Sequence, residues 1–214
     1  MQTFSTKANF SIPIFLIHVY FQGMKKLAIL GSGSGSNMQA ISDAIANNSL
    51  KAEIVYVGSD NPQAYILERA KAINVEPEIL DCARFKNKFP AEAQSQLAKK
   101  LLNLEIDLLC LAGFMRLVKK PLLEAFPNKI LNIHPSLLPK YPGLAAWEQA
   151  VTDGASESGC TVHYVDSGMD TGEIIAQAVV PIHSDDTSLT LHQRIQDQER
   201  VLYPEVIAKI ITEL

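Results

Sequence analysis

From Met24 onward, short uninterrupted apolar runs alternate with amphipathic segments, and no other feature of the sequence constrains the fold as tightly. A strand with one face in water reads as strict alternation. Runs such as 27–30 (LAIL) and 108–112 (LLCLA) do not, which marks strands buried on both faces in a parallel sheet. Strands are expected at 26–30, 53–58, 78–80, 108–112 and 130–133, and helices at 36–46, 62–72, 89–104, 121–126 and 144–151. That βαβ rhythm predicts an α/β, Rossmann-like, doubly wound and mostly parallel sheet with helices on both faces. The pattern then changes. Strands at 160–165 and 173–181 are separated only by 166–172, too short for a helical crossover, so they are expected to pair as a C-terminal antiparallel hairpin. One long helix at 187–212 closes the chain, with Pro204 as the position where it could break.

At 214 residues and 47% apolar, the chain suffices for one well-buried domain, read here as 24–214. The run at 12–21 is shorter than the roughly 20 residues that span a bilayer and lacks a signal-peptide cleavage site. It ends in Tyr20-Phe21-Gln22-Gly23 before Met24, like the remnant of an engineered protease site, so 1–23 is expected to be an added leader. No other stretch could cross a membrane, and a net charge of -4 gives no basic footprint for nucleic acid. Cys82, Cys110 and Cys160 are far apart and read as buried thiols of a cytoplasmic protein. His163 and His183 have no carboxylate or thiol cluster at ligand spacing, so no metal is expected. Small-molecule substrates are the expected partners of a monomer or homodimer.

In such a sheet, ligands collect beyond the carboxyl ends of the strands. The loop Gly31-Ser32-Gly33-Ser34-Gly35-Ser36-Asn37 follows the first strand and opens the first helix. Its glycines and helix N-terminal N–H groups suit an anion, which makes Gly35, Ser36 and Asn37 a candidate phosphate cradle. The competing reading is a flexible turn in which Ser36 or Asn37 only caps the helix. The glycine spacing is not that of a dinucleotide fingerprint, and no Gly-Lys-Ser/Thr follows.

The segment 131–143, LNIHPSLLPKYPG, is the most informative. Asn132 and His134 are two apart at the end of a strand and so point to one side. An amide and an imidazole there can address one reacting carbonyl, with Asn132 donating to a developing oxyanion and His134 supplying a proton or a second hydrogen bond. Pro127, Pro135, Pro139 and Pro142 stiffen the backbone around the pair. The bland alternative is a core histidine beside a capping asparagine.

This segment, with 111–116 (LAGFMR) upstream and 159–172 (GCTVHYVDSGMDTG) downstream, resembles the folate-dependent formyltransferases over essentially 24–214. With the GSGSGSN loop, it is most similar to the branch that formylates phosphoribosylglycinamide in purine biosynthesis. The resemblance implies transfer of the formyl group of 10-formyltetrahydrofolate by direct amine attack, with Asn132, His134 and Asp170 catalytic. A carboxylate beside an imidazole would favour its protonated form and fix its orientation. The resemblance also implies that Gly35, Ser36 and Asn37 hold the acceptor's phosphate and that Gln196 and Glu199 contact its ribose and glycinamide part. On pattern alone, that Gln/Glu pair is a solvated helix face. Folate is implied to lie against Met115, Arg116, Leu117 and Val118 and under Val165, Asp166, Ser167, Gly168 and Met169. Pattern alone makes Arg116 a salt-bridge residue. The chain departs from its bacterial relatives at Ala145-Ala146-Trp147, where they often carry histidines.

Three rivals remain open. A formyltetrahydrofolate deformylase, or a formyltransferase with another acceptor, shares the chemical motifs. A nucleotide-binding oxidoreductase would use the Gly/Ser loop with Asp60 on a ribose, but leaves 131–143 unexplained. A binding module without catalysis could keep the same fold.

Overall fold

The computed structural model describes residues 23–82 and 88–214, so the expected leader lies, but for Gly23, outside the described residues. The chain runs β1 (Lys25–Leu30), α1 (Ser36–Ala46), β2 (Ala52–Ser59), α2 (Ile66–Ala72), β3 (Glu78–Ile79), α3 (Ala91–Asn103) and β4 (Leu108–Leu111). It continues through α4 (Lys120–Ala125), β5 (Ile130–His134), α5 (Ala146–Thr152), β6 (Glu157–Tyr164), β7 (Ile174–Pro181) and α6 (Ser188–Ile211). The described strands form one sheet in the order β3-β2-β1-β4-β5-β6-β7. The first five are parallel, and β6 runs antiparallel to both β5 and β7. The α/β sheet with its antiparallel C-terminal pair is the one expected from the alternation of apolar runs.

Period-two alternation explains how one sheet serves two helical layers. Leu27 and Ile29 of β1, Leu108 and Cys110 of β4, and Leu131 and Ile133 of β5 pack with α1, α2, α5 and α6. Their neighbours Ala28, Leu30, Leu109, Leu111 and Ile130 pack with α3 and α4. Every strand residue in these two sets is close to fully buried, which is why the runs are continuously apolar. Asn132 and His134 continue the Ile130 side of β5 and so face the α3/α4 layer.

One helix starts later than expected, and the long last helix is present as expected, without the break that Pro204 could have made. The helix expected at 62–72 begins at Ile66, because Asn61 Oδ1 accepts the Gln63 N–H at 3.0 Å and folds the preceding residues into a turn. The last helix runs unbroken through Pro204 to Ile211. The proline ring costs about 3 kcal/mol in a helix interior. Burial of Tyr203, Val206, Ile207 and Ile210 around it, at about 1.5–3 kcal/mol for each large apolar side chain, outweighs that cost.

Tyr203 fixes α6 to the sheet. Fully buried, its hydroxyl lies 3.1 Å from the carbonyls of both Leu111 and Leu131, at the end of β4 and within β5. Tyr203→Phe removes this tie while filling the same volume. The variant is expected to fold with a lower urea midpoint, a loss of about 1–3 kcal/mol. An unchanged midpoint would show that the hydroxyl carries no net stabilisation.

Candidate functional site

Strand order reverses at β1 and β4, which makes their carboxyl ends the expected ligand crevice. That crevice is bridged. Ser32 N donates to Gly113 O at 3.0 Å, and Met115 N donates to Ser32 Oγ at 2.8 Å. The polar centre lies one strand further on, where β5 ends and the β6–β7 turn folds back over the sheet to bring Asp170 against Asn132 and His134. Asp170 Oδ2 accepts the Gly143 N–H at 2.8 Å and lies 3.4 Å from His134 Nδ1. Its other oxygen lies 3.5 Å from Asn132 Nδ2 and 3.7 Å from His163 Nε2. Except for the Gly143 contact, these distances are longer than ordinary hydrogen bonds, so the donors converge on the carboxylate without being consumed by it.

The two histidines differ in what their nitrogens face. His163 Nδ1 lies 2.8 Å from the Tyr164 carbonyl and must donate to it. Burial pushes the His163 imidazole below its ordinary pKa, against the opposing effects of that carbonyl and of Asp170. Donation from Nδ1 leaves the neutral ring, which burial favours, with an Nε2 lone pair to accept from Asn132 Nδ2 at 3.1 Å. This orients the Asn132 amide with its second N–H toward Asp170. Both nitrogens of His134 face oxygen, with Tyr141 O 2.9 Å from Nε2 and Asp170 on the Nδ1 side. Asp170, Tyr141 and Ala145 all adopt left-handed backbone, at φ 55, 55 and 54. Strain of roughly 1–2 kcal/mol at each such residue is held where two loops meet. Gly172 sits at the neck of the turn, where any Cβ would collide with the Tyr164 carbonyl.

The Gly/Ser loop opens α1 with Gly35 as N-cap at φ 73, and no side chain caps the helix. A Cβ at Gly35 would meet the Ile66 backbone at 2.8 Å, so only glycine fits. Asn37 is buried rather than capping. Its Nδ2 donates to Glu199 Oε2 at 2.9 Å, while its Oδ1 is buried without a partner among the described residues. Glu199 is only 7% exposed, unlike the solvated face its pattern suggested, and burial pushes its carboxyl up to about 7. The structure thus brings Asn37 and Glu199 together across α1 and α6. Gln196, one turn earlier, contacts His192 Nε2 at 3.3 Å, and the His192 ring stacks on Trp147 with centroids 3.6 Å apart. Trp147 therefore packs against the helix that carries Gln196 and Glu199. A surface groove lined by Gln39, Asp43, Asn47, Arg200 and Pro204 runs along the outside of α1 and α6 and meets the site only at Ser36.

The loops expected to hold folate lie beside this centre. Met115 and Leu117 are exposed and Val118 is buried. The Arg116 side chain turns inward, its Nε 2.5 Å from Asp60 Oδ2 and its Nη1 3.0 Å from Lys88 O. That ion pair also removes the premise of the oxidoreductase reading, since Asp60 is engaged by Arg116 and Ser32. Across the cleft, Lys119 Nζ donates to Ser167 O at 2.9 Å. Asp166 Oδ1 accepts from Gly168 N and Thr171 Oγ1, closing the turn that carries Val165 to Met169. Met115, Leu117, Leu144 and Met169 are large apolar side chains left exposed on these loops. The contributions of Gly143 N–H, the Tyr141 carbonyl and the Ser32 hydroxyl were not anticipated from sequence. The first two are backbone groups whose orientation depends on loop geometry. Ser32 lay within a loop read for its glycines. The described residues contain no cluster arranged to hold a metal ion and no helix long and apolar enough to cross a membrane.

The formyl transferase family pattern matches residues 25–207. The chain is 42% identical over 188 residues to the phosphoribosylglycinamide formyltransferase of Bacillus subtilis (strain 168), covering 88% of this chain and 95% of that protein. It is also 42% identical over 192 residues to the trifunctional purine biosynthetic protein adenosine-3 of Drosophila melanogaster, covering 89% of this chain and 14% of that longer protein. Among solved structures, glycinamide ribonucleotide transformylase 1 from Symbiobacterium toebii superposes with a TM-score of 0.86 at 45% identity, covering 91% of each chain. The phosphoribosylglycinamide formyltransferase from Bacillus halodurans gives 0.83 at 41% identity, covering 88% of this chain and 96% of that one.

Glu199 gives the site a pH signature. Its carboxyl is raised from 4.5 to about 7 in the folded chain, so the folded state binds the proton more tightly than the unfolded state. The contribution is fully present below pH 4.5 and is lost as pH rises through about 7. Glu199→Gln, which mimics the protonated form, is expected to flatten the fall in urea midpoint across this window and to be more stable than the parent above it. Parallel midpoint–pH curves for the two proteins would refute the assignment.

Proposed function

The chain belongs to the formyl transferase family, and from that membership we propose that residues 24–214 transfer the formyl group of 10-formyltetrahydrofolate to the amine of 5'-phosphoribosylglycinamide, a step of purine biosynthesis. The observation that carries the proposal is the near full-length likeness to a phosphoribosylglycinamide formyltransferase at 42% identity. The geometry supports the roles. The acceptor amine attacks the formyl carbon, a C–N bond forms, and the carbonyl oxygen gains the negative charge of a tetrahedral intermediate. Asn132 Nδ2, oriented by His163, and His134 supply hydrogen bonds to that oxygen. Asp170 lies within 3.5 Å of both donors, which supports its role in taking up the amine proton through an ordered water. Return of that proton to the folate nitrogen accompanies cleavage of its bond to the formyl carbon, and no covalent enzyme intermediate is needed.

On this reading the acceptor's phosphate sits at the uncapped start of α1, on Gly35, Ser36 and Asn37. Glu199 and the unpartnered Asn37 Oδ1 beside it supply acceptors for hydroxyl and amine donors of the same substrate, with Gln196 one turn away. The exposed apolar side chains of Met115, Leu117 and Met169 suit a flat pterin, whose edge is read by backbone groups of 115–118 and 165–169. Three buried, free thiols support a reducing cytoplasmic setting.

The test is an absorbance assay of 10-formyltetrahydrofolate with phosphoribosylglycinamide, with the dephosphorylated acceptor, and with water alone. Turnover is expected only with the phosphorylated acceptor, whereas turnover with water alone would make the protein a deformylase. Asn132→Ala is expected to lower kcat by about 10²–10³, and His134→Ala or Asp170→Asn by about 10²–10⁴. Unchanged turnover in these variants would remove the three residues from the mechanism.

A further inference from the structure

The 31–37 loop and the 113–118 loop are assigned above to different substrates, yet one side chain joins them. Ser32 Oγ accepts the Met115 N–H at 2.8 Å and donates to Asp60 Oδ1 at 2.5 Å. The other oxygen of Asp60 takes Arg116 Nε at 2.5 Å, which closes a ring through the Met115–Arg116 peptide. The backbone of Ser32 is used as well, its N–H by Gly113 O at 3.0 Å and its carbonyl by Asn61 Nδ2 at 3.3 Å. The ion pair behind the hydroxyl is nearly out of water, with side chains 9% and 8% exposed for Arg116 and Asp60. A charged acceptor at that depth strengthens the serine hydrogen bond.

We infer that Ser32 is a positioning residue whose hydroxyl, held by the Asp60–Arg116 pair, makes the two substrate loops one rigid unit. Each substrate then meets a loop already placed, and neither has to order it on binding. The reacting centre at Asn132, His134 and Asp170 is hydrogen-bonded through β5, β6 and Gly143, and among the described residues none of these bonds runs through Ser32. Loss of the clamp is therefore read in substrate binding rather than in the chemical step.

This inference rests on the proposed formyl transfer for its kinetic reading but not for its structural one, so two experiments separate them. In steady-state kinetics, Ser32→Ala is expected to raise KM for both 10-formyltetrahydrofolate and phosphoribosylglycinamide by about tenfold, with kcat within about twofold. Ser32→Thr, which keeps a hydroxyl, is expected to restore both. A rise confined to one substrate, or an equal loss of kcat, would overturn the clamp. Absence of turnover in the unaltered protein would instead refute the formyl-transfer reading. Amide hydrogen exchange without substrate then decides the clamp alone. Faster exchange in Ser32→Ala at both 31–37 and 113–118 supports it, and change at one loop or neither overturns it. Asp60→Asn, which keeps the side-chain shape and weakens the ion pair, gives the same two-loop pattern if Ser32→Ala does not fold.

Discussion

The site rests on the 2.8 Å hydrogen bond from the Gly143 N–H to Asp170 Oδ2. Asp170 comes from the turn after β6 and Gly143 from the loop after β5, so this bond sets how far the carboxylate stands from His134 and Asn132. A charge-assisted bond to a backbone donor is among the stronger interactions available to an aspartate. It fixes the carboxylate while leaving its contacts to Asn132 and His134 long, at 3.5 and 3.4 Å. Donors held near an anion without closing on it are already aimed where an oxyanion would form, and little reorganisation is then required during reaction.

The same carboxylate is near two histidines that cannot be exchanged. The Tyr164 carbonyl claims the one proton of His163, which leaves a lone pair toward Asn132 and makes the ring an orienting group. His134 instead has an oxygen facing each ring nitrogen, Tyr141 O at Nε2 and Asp170 at Nδ1. The difference is set by backbone carbonyls, and one of these belongs to a residue in left-handed conformation. Strain at Tyr141 thus has a structural consequence in the direction of a side chain seven positions earlier.

What was legible in the sequence was what local chemistry dictates. Continuous runs such as 108–112 required burial on both faces, and the short 166–172 connection ruled out a crossover, so the sheet and its hairpin could be read directly. The pairing of Asn132 with His134 followed from period two, because Ile130, Asn132 and His134 lie on one face. The partner carboxylate was reached only by resemblance, since nothing local to Asp170 indicates that its turn folds back over β5. Glu199 illustrates the opposite limit. Its helical pattern reads as solvated, and it is buried because α1 packs across α6 and brings Asn37 against it. Pro204 is similar: its local preference opposes the helix, and the tertiary burial of Tyr203 and its neighbours prevails.

The position of the site within the sheet follows from these long-range contacts as well. An open doubly wound sheet offers its crevice where strand order reverses, here between β1 and β4. A Gly-rich loop after β1 and an aspartate after β2 would, by local pattern, equip that crevice for a dinucleotide. Ser32 instead bridges it to Gly113 and Met115, and Asp60 turns to Arg116 rather than to a ribose. With the crevice bridged, the polar centre lies at the end of β5, and the short turn between antiparallel β6 and β7 leaves the sheet beside Leu131 and folds back to it. A parallel pairing of β6 with β7 would have required a crossover in place of that short turn. The antiparallel C-terminal pair is therefore the feature that lets Asp170 reach Asn132 and His134.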